Sequence, residues 1–343
     1  MGSTPFPPPG YVTVAPIHAL GKLIRSLGGD PDAVFRPMKI DERALVEPGG
    51  VLPIAIRGEL MARATQETGC EHFGLLLGAQ SGIRELGTAG QLMLELSSVG
   101  LALEVFATLW SLHTPAVVVY LRQSGDQATL GYAVVDGNIP GMPQLQDGAM
   151  AVALNIMRAM LGADWRPTGV SLMRHEPRDS ALYADFFGAN CHFNAIRSEL
   201  LFPATTLDFR LKNGNAKGAG HAQPLAGDHG WSDYVKRVVY RLLLQGECSQ
   251  KRVAAALGIS DRTLVRKLAN SGQTYQQLLE AARFSISRAM IRETNRTFAE
   301  IAAALGYNEA SSFTRAFQCW SGMSPSQWRK LKTGPASRPS SKK

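Results

Sequence analysis

Apolar positions recur at helical spacing over residues 15–27, where the pattern stops at Gly28-Gly29. They recur again over 53–67, where Ile54, Ile56, Leu60 and Met61 fall toward one side. A short apolar run bounded by glycines follows at 73–78, and Leu86-Gly87 opens a helical pair that extends to His113. The period then shortens. Residues 116–122 (Ala-Val-Val-Val-Tyr-Leu-Arg) are rich in β-branched side chains. The polar turn Ser124-Gly125-Asp126 divides them from a second strand at 127–135, which predicts a hairpin. A loop at 137–143, a long helix at 145–161, a strand at 167–173, a helix at 180–187 and one or two short strands within 191–202 complete the region. Mixed strands with covering helices make it α+β.

Residues 212–230 are glycine-rich and nearly without apolar positions, which predicts a flexible linker. Beyond it the helical period returns and stays. A helix is expected at 234–244, with Val238, Val239, Leu242 and Leu243 on one side. One pattern is then written twice, as Val253-Ala-Ala-Ala-Leu-Gly-Ile-Ser260 and Ile301-Ala-Ala-Ala-Leu-Gly-Tyr-Asn308. Each copy predicts a short helix stopped by glycine, then a polar N-cap (Ser260, Asn308) and a second helix, the grammar of a helix-turn-helix. The second helices correspond as Leu264-Val-Arg-Lys-Leu268 and Phe313-Thr-Arg-Ala-Phe317. Gly258 and Gly306 lie 48 residues apart and Arg266 and Arg315 lie 49 apart, so the second turn carries one extra residue. The first unit spans 250–269, and a long helix at 275–291 joins the two. Thr297 and Glu300 form a capping box, and Ser324-Pro325 starts a last short helix containing Trp328.

Charge sharpens this division. The net charge is +8, but residues 231–343 hold 19 Lys/Arg against 7 Asp/Glu, net +12, whereas residues 1–230 hold 17 against 21, net −4. A basic helical part behind a mildly acidic α+β part points to a polyanion as partner of the former. The expected organisation is a regulatory domain at 1–211, the linker at 212–230, a DNA-binding domain at 231–333 and a disordered basic tail at 334–343. The chemistry of an enzyme is not visible. No P-loop, G-x-S-x-G or H-E-x-x-H pattern occurs, and the adjacent Cys191-His192 would face apart on a strand. Cys70, Cys191, Cys248 and Cys319 have no metal-ligand spacing, so neither a metal nor a cofactor is expected, and a reducing compartment fits. Arg174-His175-Glu176 reads as a strand-end polar cluster, with an acidic effector as the less ordinary use. With no signal peptide and no membrane span in the pattern, a cytoplasmic protein is expected.

A helix fits the B-DNA major groove, and the second helix of each unit would read it. In the first unit Val253, Leu257, Ile259, Leu264 and Leu268 pack the helices together, leaving Asp261, Arg262, Val265 and Arg266 outward. Arg262 and Arg266 share a face at i, i+4 and suit guanine O6/N7. In the second unit Ile301, Leu305, Phe313, Phe317 and Trp320 are core, while Ala310, Ser311, Thr314 and Arg315 face out. Lys251, Arg252, Lys267, Arg288, Arg292 and Arg296 would meet phosphates or water.

Ala302-Ala-Ala-Leu-Gly-Tyr307, Ser312-Phe-Thr-Arg-Ala-Phe317 and Trp320-Ser-Gly-Met-Ser-Pro325 together resemble the signature of the AraC/XylS family of bacterial transcriptional regulators, over about the last hundred residues. The resemblance implies two helix-turn-helix units placing their second helices in successive major grooves. Arg262, Val265 and Arg266 would face the bases in the first unit, and Ala310, Ser311, Thr314 and Arg315 in the second, while Lys267 is a DNA-contact candidate on its charge alone. Ala310 and Ser311 are smaller than is usual there, which implies weaker readout by the second unit. Ser287 stands where a small apolar residue is usual. Phe73-Gly74-Leu75, Leu77-Gly78, Leu86-Gly87, the hairpin and the stretch from His175-Glu176-Pro177 through Phe186 to Phe193 resemble the arabinose-binding-type regulatory domain of one branch of that family. This implies effector sensing, without implying arabinose as the effector, and dimerisation. The expected function is promoter activation with RNA polymerase in response to a small-molecule effector. The alternative is an N-terminal domain that only dimerises or binds a protein partner.

Overall fold

The first helical stretch is broken near Pro16. A short strand β1 (Tyr11–Thr13) and a 3-10 turn at Ala15–Ile17 precede α1 (Leu20–Ser26), and α2 (Pro31–Phe35) follows. β2 (Val51–Pro53) pairs antiparallel with β1 and leads into α3 (Ile54–Thr68), which ends at Gly69 with φ 64°. The run at 73–78 is a helix, α4 (Phe73–Gly78), and the pair beyond it is α5 (Thr88–Glu95) and α6 (Val99–His113). This computed structural model describes residues 11–46, 50–113, 116–136, 138–211 and 228–332, without the side chains of 88, 109, 111–113, 228–230 and 332. The tail expected at 334–343, and the linker up to residue 227, lie outside the described residues.

β3 (Val117–Ser124) and β4 (Gln127–Val134) form the expected hairpin, turned at Gly125 with φ 58°. α7 (Met142–Leu161) starts earlier than the pattern suggested, so the loop expected at 137–143 is shorter. Pro143 sits in the helix's first turn, where no intrahelical donor is needed. Glycines let α7 and α4 touch backbone to backbone. A Cβ on Gly74 would come within 2.1 Å of Gln144 O, and one on Gly78 within 2.3 Å of Gly148 O.

β5 (Gly169–Ser171) is shorter than the strand expected at 167–173, because Met173 N–H donates to the Ser198 hydroxyl rather than to the ladder. After α8 (Ala181–Phe187) come β6 (Cys191–His192) and β7 (Ser198–Pro203). The sheet order is β3-β4-β7-β5-β6, parallel at β5–β6 and antiparallel elsewhere.

Val117 to Tyr120 are apolar at successive positions, and a strand of that kind must be covered on both faces. It is. Val117 and Val119 look toward the N-terminal helices, whereas Val118, Tyr120 and Ala133 join one core with the C-terminal helices. Those helices are α9 (Asp228–Gln245), α10 (Gln250–Ala256), α11 (Asp261–Asn270), α12 (Tyr275–Glu293), α13 (Phe298–Ala304), α14 (Ala310–Ser321) and α15 (Pro325–Lys332). α9 therefore begins inside the segment expected as linker. It is also buried well beyond the single side that its spacing suggested, since Tyr234, Val235, Tyr240 and Leu244 are buried too. It docks on the sheet through Tyr240, whose hydroxyl donates to Val134 O at 3.0 Å, and Gln245, whose amide donates to Leu121 O at 2.6 Å. Among the described residues no helix is long and apolar enough to cross a membrane.

Candidate nucleic-acid interface

The first unit is built as its sequence predicts. Ser249 caps α10, accepting from Arg252 N, and Ser260 caps α11, accepting from Thr263 N. Gly258 takes φ 66° between them, a left-handed conformation that costs glycine little. Val253, Leu264 and Leu268 are buried, with Leu257 and Ile259 half-buried against the same core. The opposite face of α11 exposes Arg262, Val265 and Arg266. Val265 is 50% exposed, and with Asp261 and Gln250 these residues line a shallow open depression. Neither arginine is ion-paired to a described residue, so both guanidinium forks are available to a ligand. Lys267 is also exposed, but its ammonium lies over the Trp231 ring at 5.3 Å, which draws it back toward α9.

The second unit uses different local chemistry. Thr297 and Glu300 close the capping box on α13, and Arg296 adds an ion pair; together these hold the Glu300 carboxyl down at about 2. Gly306 takes φ 75°. Asn308 is not the cap of the next helix: Glu309 holds that position, without a side-chain cap bond, and accepts from the Ser311 hydroxyl at 2.9 Å instead. The extra residue of the second turn is thereby accounted for, because Ser260 and Glu309 are 49 positions apart. Arg283 of α12 fastens this turn. It donates to Leu305 O at 3.0 Å and stacks 4.4 Å from the Tyr307 ring. On α14, Ala310 is half-buried against the core and Thr314 donates to Ala310 O at 2.9 Å. Arg315 is exposed and has no ion pair with a described residue. Of the four candidate residues here, Arg315 presents the uncommitted charge.

Three arginines expected at phosphates point elsewhere. Arg288 pairs with Asp136 at 3.0 Å, Arg292 pairs with Glu293 and donates to Ile139 O at 3.0 Å, and Arg296 donates to Asn194 O at 2.6 Å. They tie α12 and the turn after it to the α+β domain. Periodicity could not reveal this, because their partners lie 102 residues or more away in sequence wherever they cross the domains.

The α+β domain holds two features of its own. Arg174, read from sequence as a strand-end cluster, is instead buried. It forms an ion pair with the fully buried Asp147 and donates to the Tyr183 hydroxyl at 2.7 Å, which in turn donates to the same carboxylate at 2.7 Å. Burial, the larger influence, lifts the Asp147 carboxyl to about 6 against the pull of Arg174 and Tyr183. Nothing in the sequence around Asp147 marked it. The second feature is a cavity between the inner face of the hairpin and α3, α4, α6 and α7, with a volume of about 80 Å³ open to the centre of a water molecule. Its wall is apolar, with Ile17, Met61, Leu77, Phe106, Leu130 and Ile156 prominent, and it includes Arg57. The signal for Arg57 was available. It lies at i+3 from Ile54 and i+4 before Met61, so a cation sits on the inward stripe of α3.

Residues 28–211 match the model described as the arabinose-binding domain of AraC transcription regulator, N-term, and residues 253–331 match a helix-turn-helix domain. Among curated relatives, the HTH-type transcriptional regulator VirS of Mycobacterium tuberculosis is 25% identical over 323 residues, covering 90% of this chain and 93% of VirS. The ornithine utilization regulator of Pseudomonas aeruginosa is 26% identical over 336 residues, covering 93% and 96%. The transcriptional activator NphR of Rhodococcus is 34% identical over 97 residues, covering 28% of this chain and 29% of NphR.

Proposed function

The chain belongs to the AraC family of DNA-binding transcriptional regulators, and on that premise we propose that it activates promoters in response to a small-molecule effector held in the cavity of its N-terminal domain. The observation that carries the DNA reading is the pair Arg262 and Arg266, exposed on one face of α11 and free of ion pairs with described residues. We assign them the base contacts of the first unit, with Val265 offering apolar contact to a thymine methyl. In the second unit we assign the principal contact to Arg315, with Ser311 and Thr314 beside it and Ala310 as support. Lys267 we assign to phosphate. Activation is favoured by the name of NphR, and contact with RNA polymerase follows from it. The division between domains we place at 212–230, with α9 belonging to the DNA-binding part. Effector binding is supported by the cavity, whose inner wall and the seat of α9 are opposite faces of the same two strands.

Arg266→Ala is expected to cost about 1–3 kcal/mol of operator affinity and to relax sequence preference at one base pair, as for the loss of an arginine–guanine pair. Binding titrations against operators with each base pair substituted in turn measure this. An unchanged preference at every position would remove Arg266 from the base-reading set. Effector sensing is tested by titrating metabolites into the full chain and following transcription from the bound promoter. A transcriptional response indifferent to every ligand that binds would favour a purely dimerising or partner-binding N-terminal domain.

A further inference from the structure

Among the described residues the cavity wall contains one fixed charge, and it has no ion pair with any of them. Arg57 projects from α3 into a lining of Val12, Ile17, Met61, Phe106, Leu130 and Met150, with the Tyr132 phenol as its nearest electrostatic neighbour. Its Nε has no hydrogen-bond partner among the described residues, and no described carboxylate lies within ion-pair distance of it. Burial lowers its pKa, and the Tyr132 phenol, itself pushed up to about 12 by burial, only partly offsets this. The other wide-reaching polar side chain of the wall is already committed. Gln144 accepts from Gly74 N at 2.7 Å and donates to Glu71 O at 2.9 Å. Trp110 Nε1, by contrast, is a second buried donor without a partner among the described residues. A half-buried cation in an apolar wall, with no counter-ion among the described residues, is costly, and donors left unpaired there ask for an acceptor.

We infer that the cavity is built for an apolar organic anion, a carboxylate on an aliphatic or aryl body, whose headgroup pairs with Arg57 while its body fills the apolar wall. The inference rests on the effector-binding reading above and names the class of ligand. A polyhydroxylated ligand would find too few partners, because Gln144 is satisfied and most of the wall is hydrocarbon. A cation would meet Arg57. A guanidinium takes a carboxylate in two parallel hydrogen bonds, which orients the ligand as well as holding it. The carboxylate end would lie at Arg57 and Tyr132, and Tyr132 belongs to β4, whose opposite face helps seat the DNA-binding domain.

The test is calorimetric titration of the full chain with hexanoate, octanoate, decanoate and 3-phenylpropionate, beside 1-octanol and octylamine. At least one carboxylate is expected to bind saturably, octylamine not at all, and 1-octanol roughly tenfold or more weaker than octanoate. Arg57→Met should abolish the advantage of octanoate over 1-octanol, while the unliganded variant melts no lower than the parent. Octylamine or 1-octanol binding as tightly as octanoate would overturn the inference, as would undiminished octanoate binding by Arg57→Met. A much lower melting temperature of the unliganded variant would overturn it too, since Arg57 would then have its partner within the protein. Each of these outcomes leaves the sensor reading standing. The sensor reading itself falls if no probe binds and Ala149→Phe, which grows a ring from the cavity wall on α7, changes neither melting nor the transcriptional response; failure of the carboxylates alone to bind ends only the inference.

Discussion

Arg174→Met should destabilise the protein by about 3–5 kcal/mol at neutral pH, the range for removing one partner of a buried ion pair. Asp147 is wholly inaccessible, and its Oδ2 accepts from both Arg174 and Tyr183. Without Arg174 the carboxylate keeps the tyrosine hydroxyl alone, in a site that already lifts it to about 6. The variant's Asp147 must rise further, because the guanidinium that pulled it down is gone. A carboxyl whose native pKa is raised holds its proton more firmly in the folded state than in the unfolded chain. Stability is then present at low pH and lost as pH rises through the native value. The cost of Arg174→Met should accordingly be larger at pH 8 than at pH 5. Urea denaturation of both proteins at the two pH values measures it. A cost below about 1 kcal/mol at pH 8, or one independent of pH, would show that the pair contributes little. The double variant Asp147→Leu/Arg174→Met should recover much of the loss, since a nonpolar pair of similar size leaves no charge stranded.

Phe317→Ala is expected to cost about 3–5 kcal/mol in the C-terminal domain, the range for truncating a fully buried aromatic side chain. Phe317 has ring centroids at 5.6 Å from Phe284, 5.8 Å from Phe313 and 5.8 Å from Trp328, so α12, α14 and α15 meet at this ring. Phe284 also touches Trp320 at 5.8 Å. Removing the ring loosens the packing that orients Arg315, so the DNA footprint should contract to the half contacted by α11. Phe317→Leu should restore most of the stability and the full footprint. Thermal denaturation and nuclease protection read the two effects, and a full-length footprint from a destabilised Phe317→Ala protein would separate DNA reading by the second unit from its core.

Much of this architecture was legible because it is local. Gly258 and Gly306 needed left-handed backbone; Ser260 and Thr297 needed only an amide three residues on. The same rule misled at Asn308, because the extra residue moved the cap to Glu309. The arginines were least legible. Arg288, Arg292 and Arg296 were expected at phosphates or water and Arg174 in a strand-end cluster, yet each turns toward the α+β domain or its interior. A long flexible side chain can reach in many directions, and its own neighbours in sequence do not say which.

The sequence by itself determined two helix-turn-helix units, a linking helix, the hairpin, and the charge division that assigns DNA to the C-terminal part. These follow from periods of two and 3.6 residues and from turn chemistry acting over a few positions. Only the tertiary structure decided that Val117–Tyr120 is shared between domains, that α9 is clasped by the sheet, and that Arg57 faces an apolar cavity without a counter-ion among the described residues. The physical reason is range. Helix and turn formation are settled by neighbours in sequence, whereas burial and ion pairing are settled by groups brought together from far along the chain.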